Sequence, residues 1–351
     1  MKRLGFALLL MCSLGISLAQ VSLQPVFSLP KARALGFSAD GSRLFTYVVE
    51  GYYIQPPVPM SRFEVSADGQ LKLLDTVTES KLALAVSPEG YLLRLEGGVC
   101  RWDTALNNYV VDPPLRLRLY RFPSGSTVNE WLASGACNMS GATISPDGRL
   151  LALTNRYSYV QVWDVTSGQR IRTLLMDDWR IERAAFSRDS RLLAVCQASG
   201  TVVYRVSDWV VLARLGRPDP MREYMPRGDC TVGGLAFTPD SKRLVIASTG
   251  APVGIWNLES GRLERMLKRL TDRDGRVRGP RRVAVTADGK YIAVTDAGQN
   301  LILYDLQTGR VVAKLEDAGY NLLVSPTLPL IVTEKFGDTP EKDALLGFII
   351  R

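Results

Sequence analysis

Apolar residues recur along the chain in short runs, each closed by a cluster of turn-forming residues. In the stretch ISPDGRLLALTNRYSYVQVWDVTSGQRIRTL, residues 144–174, four such runs alternate with three turns, the pattern of four short strands joined by hairpins. The first turn recurs seven times, as FSADG, VSPEG, ISPDG, FSRDS, FTPDS, VTADG and VSPTL. The Ser or Thr of each stands at 38, 87, 145, 187, 238, 286 and 325, so the spacing is 49, 58, 42, 51, 48 and 39 residues. Serine or threonine opens the turn, proline or another residue takes the second place, Asp the third, and glycine takes the positive φ that follows. Ser190 and Ser241 stand where glycine is usual, which predicts strain in those two turns. TSG, ESG and QTG, at 166–168, 259–261 and 307–309, mark a second recurrent turn.

A repeat of roughly forty to fifty residues built from four strands is the size of one propeller blade. Seven copies predict an all-β, seven-bladed β-propeller of four-stranded blades. The last copy, 321–351, holds only three strands, while QPVFSLP at 24–30 resembles the outer strands elsewhere. An N-terminal strand joining the C-terminal blade is therefore expected to close the ring and to remove an exposed sheet edge. RLYRF and TVNEWL are the expected strands in the longest copy, which carries an insertion at 109–134.

SPDGRLLAL followed by VQVWDVTSGQRIRTL, and TPDSKRLVIAS followed by VGIWNLESGRLERML, resemble WD40 repeats. DGKYIAVTDAGQNLILYDLQTGRVVAKL also resembles the YVTN type of bacterial propeller repeat. The Trp-Asp pair occurs at Trp102-Asp103 and Trp163-Asp164, with Trp256-Asn257, Tyr304-Asp305 and Tyr204-Arg205 in the other copies. The resemblance implies the propeller fold and leaves function open. It departs from the family in two respects: most copies lack the Trp-Asp pair, and the chain has no histidine, so the Trp–Ser/Thr–His–Asp network of typical WD40 blades cannot form.

The same absence removes imidazole bases, Ser-His-Asp triads and histidine metal ligands, and no cofactor is expected. Asp40, Asp147, Asp189, Asp240 and Asp288 occupy turn positions and are expected to serve the turns. The chain carries a formal charge of +8 and 46% hydrophobic residues. Its first 19 residues have the form of a secretory signal peptide: Lys2 and Arg3, an apolar run too short to span a bilayer, then small residues before Gln20. One propeller domain over 20–351, periplasmic or secreted, is expected. Cys100, Cys137, Cys196 and Cys230 make an even set in such a chain, and propeller topology favours Cys100–Cys137 and Cys196–Cys230 as disulfides between neighbouring blades.

Two arginine-rich loops are expected on the face that holds those cysteines. One carries Arg217, Arg222 and Arg227, the other Arg269, Arg273, Arg276, Arg278, Arg281 and Arg282, and together they offer a rim suited to carboxylates, phosphates or sulfated sugars. The second loop, 268–282, lacks aromatic residues for base stacking, so no nucleic-acid partner is expected. The reading is a non-catalytic platform for an unidentified protein partner. A receptor for a small anionic molecule or glycan is the alternative, and an enzyme of quinoprotein or lactonase type has least support.

Overall fold

The second strand of each repeat is a continuous apolar run because both of its faces are buried. Leu150 and Ala152 turn to the sheet that follows in the chain, and Leu151 and Leu153 to the one before. The computed structural model describes residues 21–49, 57–79, 83, 85–97, 100–103, 108–111, 114–133, 139–155, 159–176, 181–197, 200–215, 232–248, 252–268, 278–339 and 342–351. The described residues form seven antiparallel four-stranded sheets in a ring.

Blade 1 consists of Ala32–Phe37, Arg43–Val48, Val58–Val65 and Leu71–Glu79. Blade 3 runs Met139–Ile144, Leu150–Asn155, Tyr159–Asp164 and Arg170–Leu175. Blade 4 runs Ile181–Phe186, Leu192–Gln197, Gly200–Arg205 and Val211–Leu215. Blades 5 and 6 repeat that order from Val232 to Met266 and from Pro280 to Leu315. In each of these blades the first strand is innermost and the fourth outermost.

Each gap between neighbouring blades is filled by apolar side chains. Phe45, Met60, Leu92 and Tyr120 fill the gap between blades 1 and 2, and Leu193, Val195 and Tyr204 meet Val160 and Val162 between blades 3 and 4. Leu44, Leu330, Leu345 and Ile349 fill the last gap, between blades 7 and 1. No blade buries its own faces, so stability resides in the seven interfaces.

Blade 7 is the composite that the sequence predicts. Asn321–Val324, Leu330–Lys335 and Ala344–Ile350 come from the C-terminal end, and Leu23–Pro30 pairs antiparallel with Ala344–Ile350 as the outer strand. Phe27 stands opposite Gly347, where a Cβ would lie 2.2 Å from the phenyl ring, so only glycine fits beneath it.

Blade 2 corrects one reading. Its third strand is Arg116–Arg121 and its fourth Thr127–Leu132, close to the expected strands, but Trp102-Asp103 belongs to neither. That pair lies in an extra hairpin, Cys100–Asp103 with Asn108–Val111, inserted after the second strand. Tyr120-Arg121 holds the place of Trp163-Asp164, since Arg121 and Asp164 accept equivalent turn hydrogen bonds from Gly125 and Gly168. The dipeptide marks the repeat in sequence, yet the hydrogen-bonding register decides which strand belongs to the blade.

The first turns behave as the sequence requires. Ser145 is fully buried; its hydroxyl donates to Asp147 at 2.5 Å and accepts the Leu150 amide at 2.9 Å. Ser38, Ser187, Thr238 and Thr286 make the same pair of bonds, and Glu89 replaces the aspartate beside Ser87. The hydroxyls of Ser38 and Ser42 hold Asp40 below the usual carboxylate range. Burial pushes Asp189 and Asp240 up, but the hydroxyls of Ser187 and Thr238 and the turn amides more than offset it. These carboxylates are structural. Ser190 and Ser241 adopt φ of 59° and 57°, the strained conformation expected of them.

The indole N–H of Trp163 is buried with no hydrogen-bond partner among the described residues, consistent with a WD-type blade that lacks the histidine network. Among the described residues no helix is long and apolar enough to cross a membrane. Residues 1–19, the expected signal peptide, lie outside the described residues.

Candidate binding surface

Two positions of the repeat converge at one end of the ring axis. The residue before each turn Ser or Thr is Phe37, Val86, Ile144, Phe186, Phe237, Val285 or Val324, one from each blade. All seven are half-buried and line one opening. The second turn residue is alanine or proline in six blades and Arg188 in blade 4, and these line the same opening. Together they form an apolar funnel of about 560 Å³ whose rim is stiffened by four prolines.

Arg188 is the exception on that rim. Its guanidinium reaches across from blade 4 and donates to the carbonyls of Ala287 in blade 6 at 3.0 Å and Pro326 in blade 7 at 3.1 Å. A cation is thus held over an apolar floor by neutral carbonyls. The first turn and the turn between third and fourth strands both lie on this side, here called the turn face.

A second concavity of about 780 Å³ lies on the same face where blades 3, 4 and 5 meet. Arg149, Arg191, Ile171, Val206 and Trp209 line it, with Asp147, Asp189 and Asp240 of the turns. Trp209 is unusual. The turn before the outer strand has Gly69, Gly125, Gly168, Gly261 and Gly309 at positive φ in blades 1, 2, 3, 5 and 6, whereas blade 4 has Trp209 at 61°. A bulky residue there costs about 1–2 kcal/mol through the clash of Cβ with the following carbonyl. Ser190 and Ser241 line the same groove, so three side chains at positions usually left to glycine meet in one place.

The opposite face holds the described part of the expected arginine rim. Arg281 is exposed and lies 5.8 Å from the centroid of the Tyr320 ring, while Arg278 and Arg282 are half-buried. Burial, and next the nearby Arg183 charge, lower Arg282 to about 10 although Glu334 opposes them. Arg183 and Arg282 occupy equivalent bulged positions in the innermost strands of blades 4 and 6, opposite Cys196 and Thr295 of the second strands. Arg33 completes this side, paired with Asp343 at 2.5 Å and stacked 4.2 Å over the Phe336 ring. Burial raises Glu334, which accepts from the Ala34 amide at 2.9 Å and from Asn321.

Arg217, Arg222, Arg227, Arg269, Arg273 and Arg276 lie outside the described residues, as do Cys137, Cys230 and the side chain of Cys100. Cys196 is fully buried against Leu235 and Ile246 of blade 5. The funnel was not foreseen. Its signal was the run of apolar residues before each turn, which acquires meaning only once the ring brings them together.

No protein-family profile matches the chain. It is 25% identical over 227 residues to a WD repeat-containing protein of Deinococcus radiodurans, covering 56% of this chain and 80% of the relative. A second such protein of that organism is 28% identical over 204 residues, covering 53% and 76%. The periodic tryptophan protein 2 homolog of Schizosaccharomyces pombe is 24% identical over 205 residues, which is 52% of this chain but only 22% of that longer protein.

Proposed function

We propose that this seven-bladed propeller, similar to WD repeat-containing proteins, is a non-catalytic, exported platform that docks a protein partner on its turn face. The observation that carries this reading is the funnel, in which seven half-buried apolar side chains converge beneath a ring of prolines and one tethered guanidinium. An apolar floor supplies affinity, the stiff rim avoids ordering cost on binding, and Arg188 selects a carboxylate or carbonyl on the partner. WD repeat relatives support the scaffold role.

The test uses the full mature chain as bait for envelope proteins. Phe186→Glu with Phe237→Glu places two carboxylates on the floor of the funnel and is expected to reduce retention of the partner at least tenfold. Both side chains are half-buried, so the unfolding midpoint of the variant is measured alongside. Equal retention by the variant and the parent excludes the funnel as the docking site.

Export rests on Lys2, Arg3 and the apolar run that precedes Gln20. The proposed disulfides Cys100–Cys137 and Cys196–Cys230 suit that compartment, and the packing of Cys196 against blade 5 supports the second, because Cys230 directly precedes that blade. Protein recovered from the envelope is expected to begin at Gln20 and, once denatured, to react with no thiol reagent until reduced. Four reactive thiols before reduction rule out both bonds.

A further inference from the structure

The groove between blades 3 and 4 on the turn face is built differently from the funnel, and its chemistry specifies a ligand more narrowly. We infer that it binds an extended peptide segment in which an acidic residue lies next to an apolar one. The inference rests on the turn face being a docking surface, but it concerns a different part of that face.

Charge is the first argument. Asp147, Asp189 and Asp240 each accept the hydroxyl of their own turn and a backbone amide, so their charge is engaged locally. Arg205 is likewise held by Asp208 through three hydrogen bonds of 2.6–3.0 Å. Arg149 and Arg191 differ. Both are exposed and both line the groove; their charges act on Asp164 and Asp189, but neither guanidinium makes a close ion pair or a hydrogen bond among the described residues. They stand at the same position in adjacent blades, directly after the first turn, and present two forks to one occupant. The turn carboxylates nearby disfavour a polyanion, so a single carboxylate suits the site better than a polyphosphate.

Shape is the second. Trp209 packs its ring against the cluster between blades 3 and 4 and leaves part of it in the groove. Ile171, 45% exposed, is the extra residue of a bulge between Arg170 and Arg172 and forms the opposite wall. Val210, next in the chain after Trp209, and Leu212 of the outer strand of blade 4 are apolar and 49% and 43% exposed. Exposed apolar side chains following Trp209 in the chain favour an extended peptide over a compact metabolite. A tryptophan in the conformation that five other blades reserve for glycine places an aromatic wall where the repeat otherwise leaves none.

The test measures binding of a capped hexapeptide of alternating glutamate and leucine to the full mature chain, against matched peptides with glutamine or lysine in place of glutamate. The glutamate peptide is expected to bind at least tenfold more tightly than the glutamine peptide, and the lysine peptide not at all. Arg149→Gln with Arg191→Gln should abolish the difference between glutamate and glutamine. Trp209→Gly should weaken binding of the glutamate peptide at least tenfold. Trp209→Gly relieves the positive φ but also removes a ring packed between blades 3 and 4, so its thermal midpoint is measured alongside; Arg149→Gln with Arg191→Gln, at two exposed side chains, gives the loss of preference that lost folding does not mimic. Arg188→Gln, in the funnel, should leave the peptide unaffected. Equal affinity for the glutamate and glutamine peptides, full binding by Trp209→Gly, or competition by inorganic phosphate as strong as by peptide overturns the proposal. If funnel variants lose the envelope partner while groove variants and the parent show no preference for glutamate, the platform stands and this site falls.

Discussion

Gly347→Val is expected to destabilise the folded chain by about 3 kcal/mol, the upper end of what overpacking costs. The position looks permissive, since its backbone is ordinary strand and the residue lies near the chain end. The obstacle is Phe27 from the other end of the chain, whose ring occupies the space a Cβ would need. A valine must push that ring off the strand Ala344–Ile350 or displace Leu23–Pro30, and either loosens the contact that closes the ring. Phe27→Ala removes a half-buried aromatic and is itself destabilising, yet it opens the space, so the double variant should be more stable than the sum of the two single effects predicts. Denaturant midpoints of the four proteins measure this coupling. Strict additivity would mean that Phe27 does not cover Gly347 in solution. Removing residues 23–30 altogether should be harsher still. It bares the edge of ALLGFII, a seven-residue run without charge or proline, and the product is expected to aggregate rather than to run as a monomer in size exclusion.

The N-terminal closure was legible because two local facts agreed: the last copy lacks a fourth strand, and QPVFSLP has the outer-strand pattern. The turns were legible for a similar reason. Ser145, Asp147 and Leu150 satisfy one another within six residues, so the sequence motif and the hydrogen bonds are the same object. Trp102-Asp103 misled because a motif was read without its register. The inserted hairpin carries the dipeptide, and the true third strand, ending in Tyr120-Arg121, lacks it.

The candidate surfaces were harder to see for a physical reason. Phe37, Phe186 and Phe237 are far apart in sequence and meet only through the closure of the ring, so no window of sequence contains the funnel. Arg188 was visible as the odd residue among prolines and alanines at its turn position, but its reach across the axis to Ala287 and Pro326 was not. Trp209 was likewise visible as SDW in place of TSG, and it gains weight only from its φ and from the groove it lines. The charge-based reading singled out arginines by their density in two loops. Structure singles out Arg149, Arg188 and Arg191 by position, each the only charge its turn sends to a shared opening or one of two equivalent forks.

Leu193→Ala and Ala194→Leu test whether successive residues of one strand serve different interfaces. Both side chains are fully buried in the second strand of blade 4. Leu193 faces blade 3 among Leu150, Val160, Val162 and Leu174, and truncation there leaves a cavity that should cost about 3–4 kcal/mol. Ala194 faces blade 5 with Val203, Leu244 and Trp256, and a leucine there overfills the gap at a cost of about 2 kcal/mol. Although the residues are neighbours in sequence, their side chains share no partner cluster, so the double variant should lose the sum of the two within about 0.5 kcal/mol. Leu175→Ala, at a leucine 78% exposed on the outer strand of blade 3, should change stability by no more than about 0.5 kcal/mol. Urea unfolding of the four variants gives all these values, and an unchanged m-value shows that the ring still unfolds as one unit. If the double variant were markedly more stable than the sum, the added leucine would be filling the cavity left by Leu193. The two side chains would then share an interface, and the two-faced blade on which the whole ring depends would not describe this chain.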